Sequence, residues 1–203
     1  DSVFLVEQPD WLLVQGDTTS TFVAATTAFY HGVRIGHVEA GLRTTTRRSP
    51  FPEEMNRRLL GRLADLHFAP TTVAAEHLAR EGVGTERIII TGNTAIDALR
   101  WAAGRPADAA DEESPTLTAR AILVTTHRRE SFGAPIERIC AAVGHLAREY
   151  GERIQFMVPV HPNPRARETV DHLLDGYPNV TLLPPLSYQA FVRAMTRAYF
   201  VMT

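Results

Sequence analysis

Lysine is absent from this sequence of 203 residues, so all 21 of its Lys and Arg residues are arginines. A phosphate-binding loop of the Walker type and a Schiff-base enzyme both need a lysine amine, so both classes are excluded. Arginine can still bind phosphate, because its planar guanidinium offers two parallel N–H donors. The absence of lysine therefore narrows the candidate chemistry without excluding an anionic substrate.

Cysteine occurs once, at Cys140, so the chain cannot form an intramolecular disulfide. Cys140 lies in a helical apolar pattern, which predicts a small core residue. No apolar run reaches the roughly 18 residues of a membrane span, and no signal peptide is visible. The net charge of -2 gives no bulk attraction to nucleic acid. These features predict a cytoplasmic protein that binds neither membranes nor nucleic acid.

Signatures of metal and nicotinamide sites are incomplete or missing. His37 and Glu39 have the spacing that begins a zinc deaminase signature, but no paired cysteines follow. Neither HExxH nor a nucleophile elbow occurs, and the glycines do not form GxGxxG. We therefore predict no metal and no cofactor, and a site built from acids, histidines and arginines.

Short strand patterns alternate with helical patterns along the whole chain, which favours an α/β fold. In the first half, strands are predicted at residues 11–14, 33–38, 66–69 and 87–91, with helices between them. Such alternation predicts right-handed crossovers and parallel sheets covered by helices. Hydrophobic residues make up 44% of the chain, enough for a sizeable core.

A break in composition divides this pattern into two runs. Residues 104–118 are rich in Pro, Ala and acids and predict a surface loop. We therefore predict two Rossmann-like domains, 1–103 and 119–203. A last strand at 199–203 has no following helix to cover it, so both domains are expected to be incomplete.

Residues 36–60 concentrate charge just after a predicted strand. Pro52 followed by Glu53 and Glu54 is typical of a helix start, because acids favour the positive end of the helix dipole. Glu53 and Arg57 lie four residues apart and share one helix face. The plain alternative is a solvated loop and helix with a surface ion pair.

Ligands of open parallel sheets bind beyond the carboxyl ends of the strands. The acids and histidines at or just after the ends of predicted strands are Asp17, His37, Glu39, His127 and His161. Asp17 could be only a helix cap, and His37 could be only a core histidine. His161, before a proline, could simply shape a turn.

The sequence HRRES begins directly after a predicted strand that ends in VTT. His127, Arg128 and a second arginine there predict an anion site at the mouth of the sheet. Together with the carboxylates of the first half, this site suits acid–base chemistry on a phosphorylated ligand.

Six motifs of this sequence resemble, in order and spacing, the non-hydrolysing UDP-N-acetylglucosamine 2-epimerases. They are VQGDTTS, GHVEAGLRT, PFPEEMNRRL, TGNTAIDAL, VTTHRRESFG and VHPNP, and the resemblance runs from about Pro9 to the last residue. It implies two Rossmann-like domains of the glycosyltransferase-B type with the site in the cleft between them. Family members also carry a Gly-Thr-Arg-Pro-Glu loop and an Asp-Ser-Gly-Gly segment that are missing here, so a middle fragment is expected.

The resemblance implies interconversion of UDP-N-acetylglucosamine and UDP-N-acetylmannosamine by elimination and re-addition of UDP, in a homodimer without a cofactor. Asp17, Glu39 and Glu53 are then the candidate acid–base carboxylates. His127 is expected to contact the diphosphate and assist its departure.

The resemblance also implies a set of binding residues. Arg57 is expected to contact the diphosphate or the sugar, while His37 and Arg43 order the carboxylates. His161 matches a family histidine near the cleft. Phe191 falls where the family builds its uracil pocket, with core packing as the alternative.

Other functions stay open on the same residues. A glycosyltransferase of this architecture would need an acceptor site, and the carboxylates Glu39 and Glu53 favour the epimerase. A hydrolysing epimerase would release free UDP. A fragment that binds nucleotide without turnover is the third alternative. The product is expected to feed a cell-surface polysaccharide.

Overall fold

The computed structural model describes residues 2–105, 120–125, 134–160 and 162–203. Within these ranges helices alternate with strands in the order α1 (Ser2–Glu7), β1 (Trp11–Gln15), α2 (Thr19–Tyr30), β2 (Arg34–Val38), α3 (Glu53–Leu63), β3 (Leu66–Ala69), α4 (Thr72–Arg80), β4 (Ile88–Ile90), α5 (Thr94–Ala103), β5 (Arg120–Val124), α6 (Ala134–Tyr150), β6 (Ile154–Pro159), α7 (Pro164–Leu174), β7 (Val180–Leu183), α8 (Tyr188–Arg197) and β8 (Phe200–Met202). Short 3-10 turns precede β4 and β6.

The chain forms two compact units, Asp1–Ala98 and Leu99–Thr203. The first contains a parallel sheet with strand order β1-β2-β3-β4, and the second a parallel sheet with order β7-β6-β5-β8. The predicted α/β class with parallel sheets is confirmed. Helix α5 begins in the first unit and ends in the second.

The sheet of the first unit is wound in one direction. Because its strands follow one another in order, right-handed crossovers place α2, α3 and α4 on the same face. Val14 and Ile35 on that face pack against α2 and α3 through Ala25, Ala28 and Leu60. In the same face, Val14, His37, His67 and Ile88 stand in register across the four strands.

The sheet of the second unit is covered on both faces. On one face, α6 and α7 bury Cys140, Val143 and Leu174 against Phe156, which confirms that Cys140 is a core residue. On the other face, α8 packs against Leu123. The chain reverses its direction across the sheet at β5, which lies between β6 and β8.

Local patterns predicted most of these elements. Helix α3 begins at Glu53, where Pro52 followed by two acids predicted a helix start. Helix Ser2–Glu7 lies in a short segment before Pro9 that carries no strong periodicity. Most of the predicted loop at 104–118 lies outside the described residues.

Candidate active site

The turn after β1 places Asp17 at the carboxyl edge of the first sheet. Gly16 takes a φ of +74°, which turns the chain out of the strand. Thr18, and not Asp17, caps α2, since its hydroxyl accepts the Thr21 N–H at 3.2 Å. The alternative that Asp17 serves only as the helix cap is therefore wrong.

His37 ties the end of β2 to this turn. Its side chain is buried, and its Nε2 donates a hydrogen bond to the Gly16 carbonyl at 2.8 Å. Burial lowers the pKa of His37, so the ring is neutral at pH 7 and Nε2 carries the proton of that bond. The core-histidine alternative for His37 is confirmed, and its role in ordering Asp17 or binding substrate stays a prediction.

Glu39 has a backbone that glutamate rarely adopts. Its φ is +66°, in the left-handed region, which costs about 1–3 kcal/mol for a residue with a Cβ. Its Oε2 lies 3.9 Å from the point where a Cβ would stand on Gly16. The strained backbone therefore brings the Glu39 carboxylate beside the turn that carries Asp17.

Helix α3 connects to the same turn through Arg57. The Nε and Nη2 atoms of Arg57 both lie 2.7 Å from Asp17 Oδ2, and Asn56 Nδ2 donates to the Asp17 carbonyl at 2.8 Å. The plain alternative of a surface ion pair between Glu53 and Arg57 is wrong, because Arg57 pairs with Asp17 and Glu54 instead. Glu53 is half-buried as the first residue of α3.

Glu54 is a site residue that the sequence analysis missed. Its side chain is completely buried, and it accepts hydrogen bonds from Thr44 N at 3.0 Å, Arg58 Nε at 2.8 Å and Arg57 Nη1 at 3.4 Å. Burial raises its pKa, but the bonds from Arg58 and Thr44 outweigh burial, so the pKa of Glu54 lies below its usual value. Two arginines three and four residues later on the helix were the available signal.

Arg43 forms a second, partly buried ion pair. Its Nε and Nη2 donate to the two Glu81 carboxylate oxygens at 2.7 Å each, and its Nη1 donates to the Leu42 carbonyl. These bonds hold the pKa of Glu81 below its usual value. The pair fastens the loop after β2 to the end of α4, and the binding role of Arg43 stays a prediction.

His67 is a second buried histidine that the sequence analysis missed. It pairs in register with His37 on the neighbouring strand, and its side chain is completely buried. Burial, together with the nearby His37 and Arg87, lowers the pKa of His67 from 6.5 to about 4. The His67 ring is therefore neutral, and it lies on the helix-covered face of the first sheet.

Three of the predicted residues, His127, Arg128 and His161, lie outside the described residues. Phe191 is half-buried and packs against the α8 face of the second sheet, so its core-packing alternative is confirmed. The structure thus brings together Asp17, Glu39 and Arg57 in the first unit.

Neither a metal-binding cluster nor a membrane-spanning helix occurs in the described part of the chain. No group of three or more His, Cys, Asp or Glu residues there is arranged to hold a metal ion. Among the helices of those residues, none combines the length and apolar character needed to cross a membrane.

Comparison with known proteins gives consistent matches. The family model of UDP-N-acetylglucosamine 2-epimerase matches residues 1–203. The UDP-N-acetylglucosamine 2-epimerase of Yersinia pestis is 47% identical over 204 residues, which cover 97% of this chain and 54% of that protein. The enzyme of the same name from Escherichia coli K12 is 45% identical over 205 residues. This chain spans about half the length of the curated relatives that it matches.

Solved structures give the same result. The Neisseria meningitidis UDP-GlcNAc 2-epimerase bound to UDP-GlcNAc matches with a TM-score of 0.90 and 38% identity, over 98% of this chain and 56% of that one. The S. aureus MnaA–UDP complex matches with a TM-score of 0.88 and 43% identity, over 98% of this chain and 54% of that one. These likenesses confirm the predicted glycosyltransferase-B type of fold class.

Proposed function

We propose, since this chain belongs to the UDP-N-acetylglucosamine 2-epimerase family, that the protein interconverts UDP-N-acetylglucosamine and UDP-N-acetylmannosamine. The reaction eliminates UDP and adds it back with inversion at carbon 2. The observation that carries the proposal is the convergence of Asp17 and Glu39 at the carboxyl edge of the first sheet, with Glu39 held in a strained backbone. Such strain persists at sites where the surrounding structure enforces it.

The chemistry explains why several carboxylates are needed. The hydrogen on carbon 2 becomes acidic only as the anomeric C–O bond breaks and positive charge builds on the sugar ring. One group must then remove that proton, and another must return a proton to the opposite face of the ring. Asp17, Glu39 and Glu53 are the acid–base residues that we assign to these steps.

Departure of the diphosphate needs positive charge at its oxygens. We assign this task to His127 and Arg128, which follow β5 in the sequence by three and four residues. The chain reverses direction at β5, and ligands of open α/β sheets bind at the carboxyl ends of strands beside such a reversal. This topology supports a nucleotide site after β5.

The remaining binding residues follow from the resemblance. His161 and Phe191 are proposed to line the nucleotide side, and His37 and Arg43 to order the first-unit carboxylates. The N. meningitidis and S. aureus relatives, solved with UDP-GlcNAc and UDP respectively, support a nucleotide sugar as the ligand. A cytoplasmic homodimer without a cofactor, serving cell-surface polysaccharide synthesis, completes the proposal.

The test is incubation of the intact protein with UDP-N-acetylglucosamine alone in D2O, followed by NMR. An epimerase forms the manno epimer and replaces the hydrogen on carbon 2 with deuterium. A hydrolysing epimerase releases free UDP instead, and a glycosyltransferase leaves carbon 2 unlabelled without an acceptor.

Glu39→Gln tests the assignment of the carboxylates. We expect kcat to fall by about a thousandfold, because a positioned acid–base group contributes about 10²–10⁴-fold. Binding of UDP, measured by calorimetry, should stay within about twofold of the wild type. Glu76→Gln is the matched control, since that residue lies in an exposed pair with Arg80 on α4. Near-normal turnover of Glu39→Gln would refute the assignment.

A further inference from the structure

We infer that Arg57 is a positioning residue that holds Asp17 in place, anchored by the buried Glu54, and that it is not a ligand of the nucleotide. The inference rests on the proposed function, in which Asp17 transfers a proton at the sugar. It replaces the binding role that the sequence predicted for Arg57.

The donors of Arg57 are directed at protein carboxylates. Its Nε donates to Asp17 Oδ2 at 2.7 Å, its Nη2 lies 2.7 Å from the same oxygen, and its Nη1 donates to Glu54 Oε2 at 3.4 Å. The Arg57 side chain is only 16% exposed. Because the N–H donors of this guanidinium already face two carboxylates, few are available to bind a diphosphate.

Charge leads to the same conclusion. Asp17, Glu54, Arg57 and Arg58 form a cluster of two carboxylates and two guanidinium groups, joined by the ion pairs described above. Since the charges cancel, this cluster attracts a diphosphate weakly compared with an arginine that has no acidic partner. The paired charges instead fix the positions of the four side chains relative to one another.

Asp17 is fixed from two directions. Arg57 occupies its Oδ2, and Asn56 Nδ2 donates to its backbone carbonyl at 2.8 Å. Among the described residues, none donates a hydrogen bond to Oδ1. We therefore assign proton transfer to Oδ1, with Arg57 setting the orientation of the carboxylate.

Glu54 is the anchor of this arrangement. It is completely buried and is bonded to Thr44 and Arg58 independently of Arg57, so it stays in place whether or not Arg57 is present. Its ionised carboxylate then holds Nη1 of Arg57 and limits the rotation of the guanidinium about its side chain.

Arg57→Gln separates the two roles of Arg57 in the intact protein. If Arg57 positions Asp17, kcat falls by about a hundredfold while the Kd for UDP stays within about twofold, because a misplaced proton-transfer group slows chemistry without weakening nucleotide binding. If Arg57 binds the diphosphate, the Kd for UDP rises at least tenfold, and the inference is overturned. Glu76→Gln should change neither quantity.

Glu54→Gln, alone and combined with Arg57→Gln, tests the anchor. If Glu54 acts through Arg57, Glu54→Gln lowers kcat by about tenfold when Arg57 is present. The same substitution then lowers kcat by less than about twofold in the Arg57→Gln background. If the decrease in kcat of the double variant equals the product of the decreases in the two single variants, the anchoring role is overturned. Should Glu54→Gln fail to fold, the Arg57→Gln comparison alone still decides whether Arg57 positions or binds.

A readout without turnover keeps this inference distinct from the proposed function. In the wild type, the Arg57 Nε–H proton should give an NMR signal protected from solvent exchange, and Asp17→Asn should reduce that protection at least tenfold. Protection unchanged in Asp17→Asn would overturn the inference. Wild-type protein that shows the protected signal without epimerising UDP-GlcNAc would overturn only the proposed function.

Discussion

The two units share a parallel α/β plan but differ in what they bury. Within the described residues, the buried polar and charged side chains all belong to the first unit, and they are Thr21, His37, Glu54, Asn56 and His67. The described core of the second unit is apolar, built around side chains such as Phe156 and Leu174. The difference teaches that one fold can use its interior either to orient a site or to pack.

The interior of the first unit should be the more vulnerable one. Buried polar groups give a defined geometry when every partner is present, and they are costly when one partner is removed. An apolar interior loses stability only in proportion to the volume removed. The following mutations measure that contrast, with hydrogen exchange read by mass spectrometry to assign each loss to one unit.

Glu54→Ala should have the largest effect on stability. Removing the carboxylate leaves Arg58 and the Thr44 N–H without their buried acceptor, while Arg57 keeps Asp17, and we expect a cost of about 3 kcal/mol. We expect faster exchange throughout residues 11–69 and little change in residues 134–203. A loss below about 1 kcal/mol would mean that the cluster is not a stabilising element of the first unit.

Acid should be the next strongest discriminator. The pKa of His67 is about 4 in the folded state against 6.5 in the unfolded state, so the unfolded state binds the proton first as the pH falls. The free energy of unfolding is unaffected by this group above pH 6.5 and declines as the pH falls from 6.5 to about 4. The total loss is roughly 3 kcal/mol, at about 1.4 kcal/mol per pH unit.

His67→Leu should remove most of this acid sensitivity from the first unit. Unfolding measured between pH 7 and pH 4 should then show a flatter decline than in the wild type. His145→Gln is the control in the second unit, because that side chain is 72% exposed on α6. An unchanged pH dependence in His67→Leu would assign the acid sensitivity to another group.

Val143→Ala should have a moderate effect confined to the second unit. Val143 is buried between α6 and the sheet, and removal of two carbon atoms there costs roughly 2 kcal/mol including the cavity. Its exchange pattern should be the reverse of the Glu54→Ala pattern. Equal acceleration in both units would show that they unfold as one cooperative body.

The exposed pair between Glu76 and Arg80 should have the smallest effect. Surface ion pairs of this spacing contribute about 0.3–0.5 kcal/mol, so Glu76→Gln should change the free energy of unfolding by no more than that. A loss comparable to that of Glu54→Ala would indicate that burial does not account for the contrast between the two acids.

Local patterns were sufficient for most of the fold. Apolar periodicity and turn residues predicted the strands and helices of both units, since each depends on residues close in sequence. The grouping of Asp17 and Glu39 also followed from the rule that parallel strands end at one edge. Residues His127, Arg128 and His161 stay predictions.

What the sequence analysis missed depends on partners distant in the chain. Glu53 and Glu54 form a doublet, and only the fold decides that Glu54 turns inward to Thr44 and two arginines. His67 lies in a short apolar strand, and its contact with His37 depends on the register between β2 and β3. Arg57 reaches Asp17 across 40 residues rather than its neighbour Glu53.

If Glu39 transfers a proton as proposed, its left-handed backbone lowers thermal stability at a residue that turnover requires. Glycine adopts a positive φ without steric penalty, so Glu39→Gly should melt at a higher temperature than the wild type. The strain that is relieved exceeds the cost of the greater unfolded-state entropy of glycine by about 1 kcal/mol. A library screened only for survival on heating would therefore enrich variants that have lost this carboxylate. Directed evolution of this scaffold has to select for product formation as well as thermal tolerance.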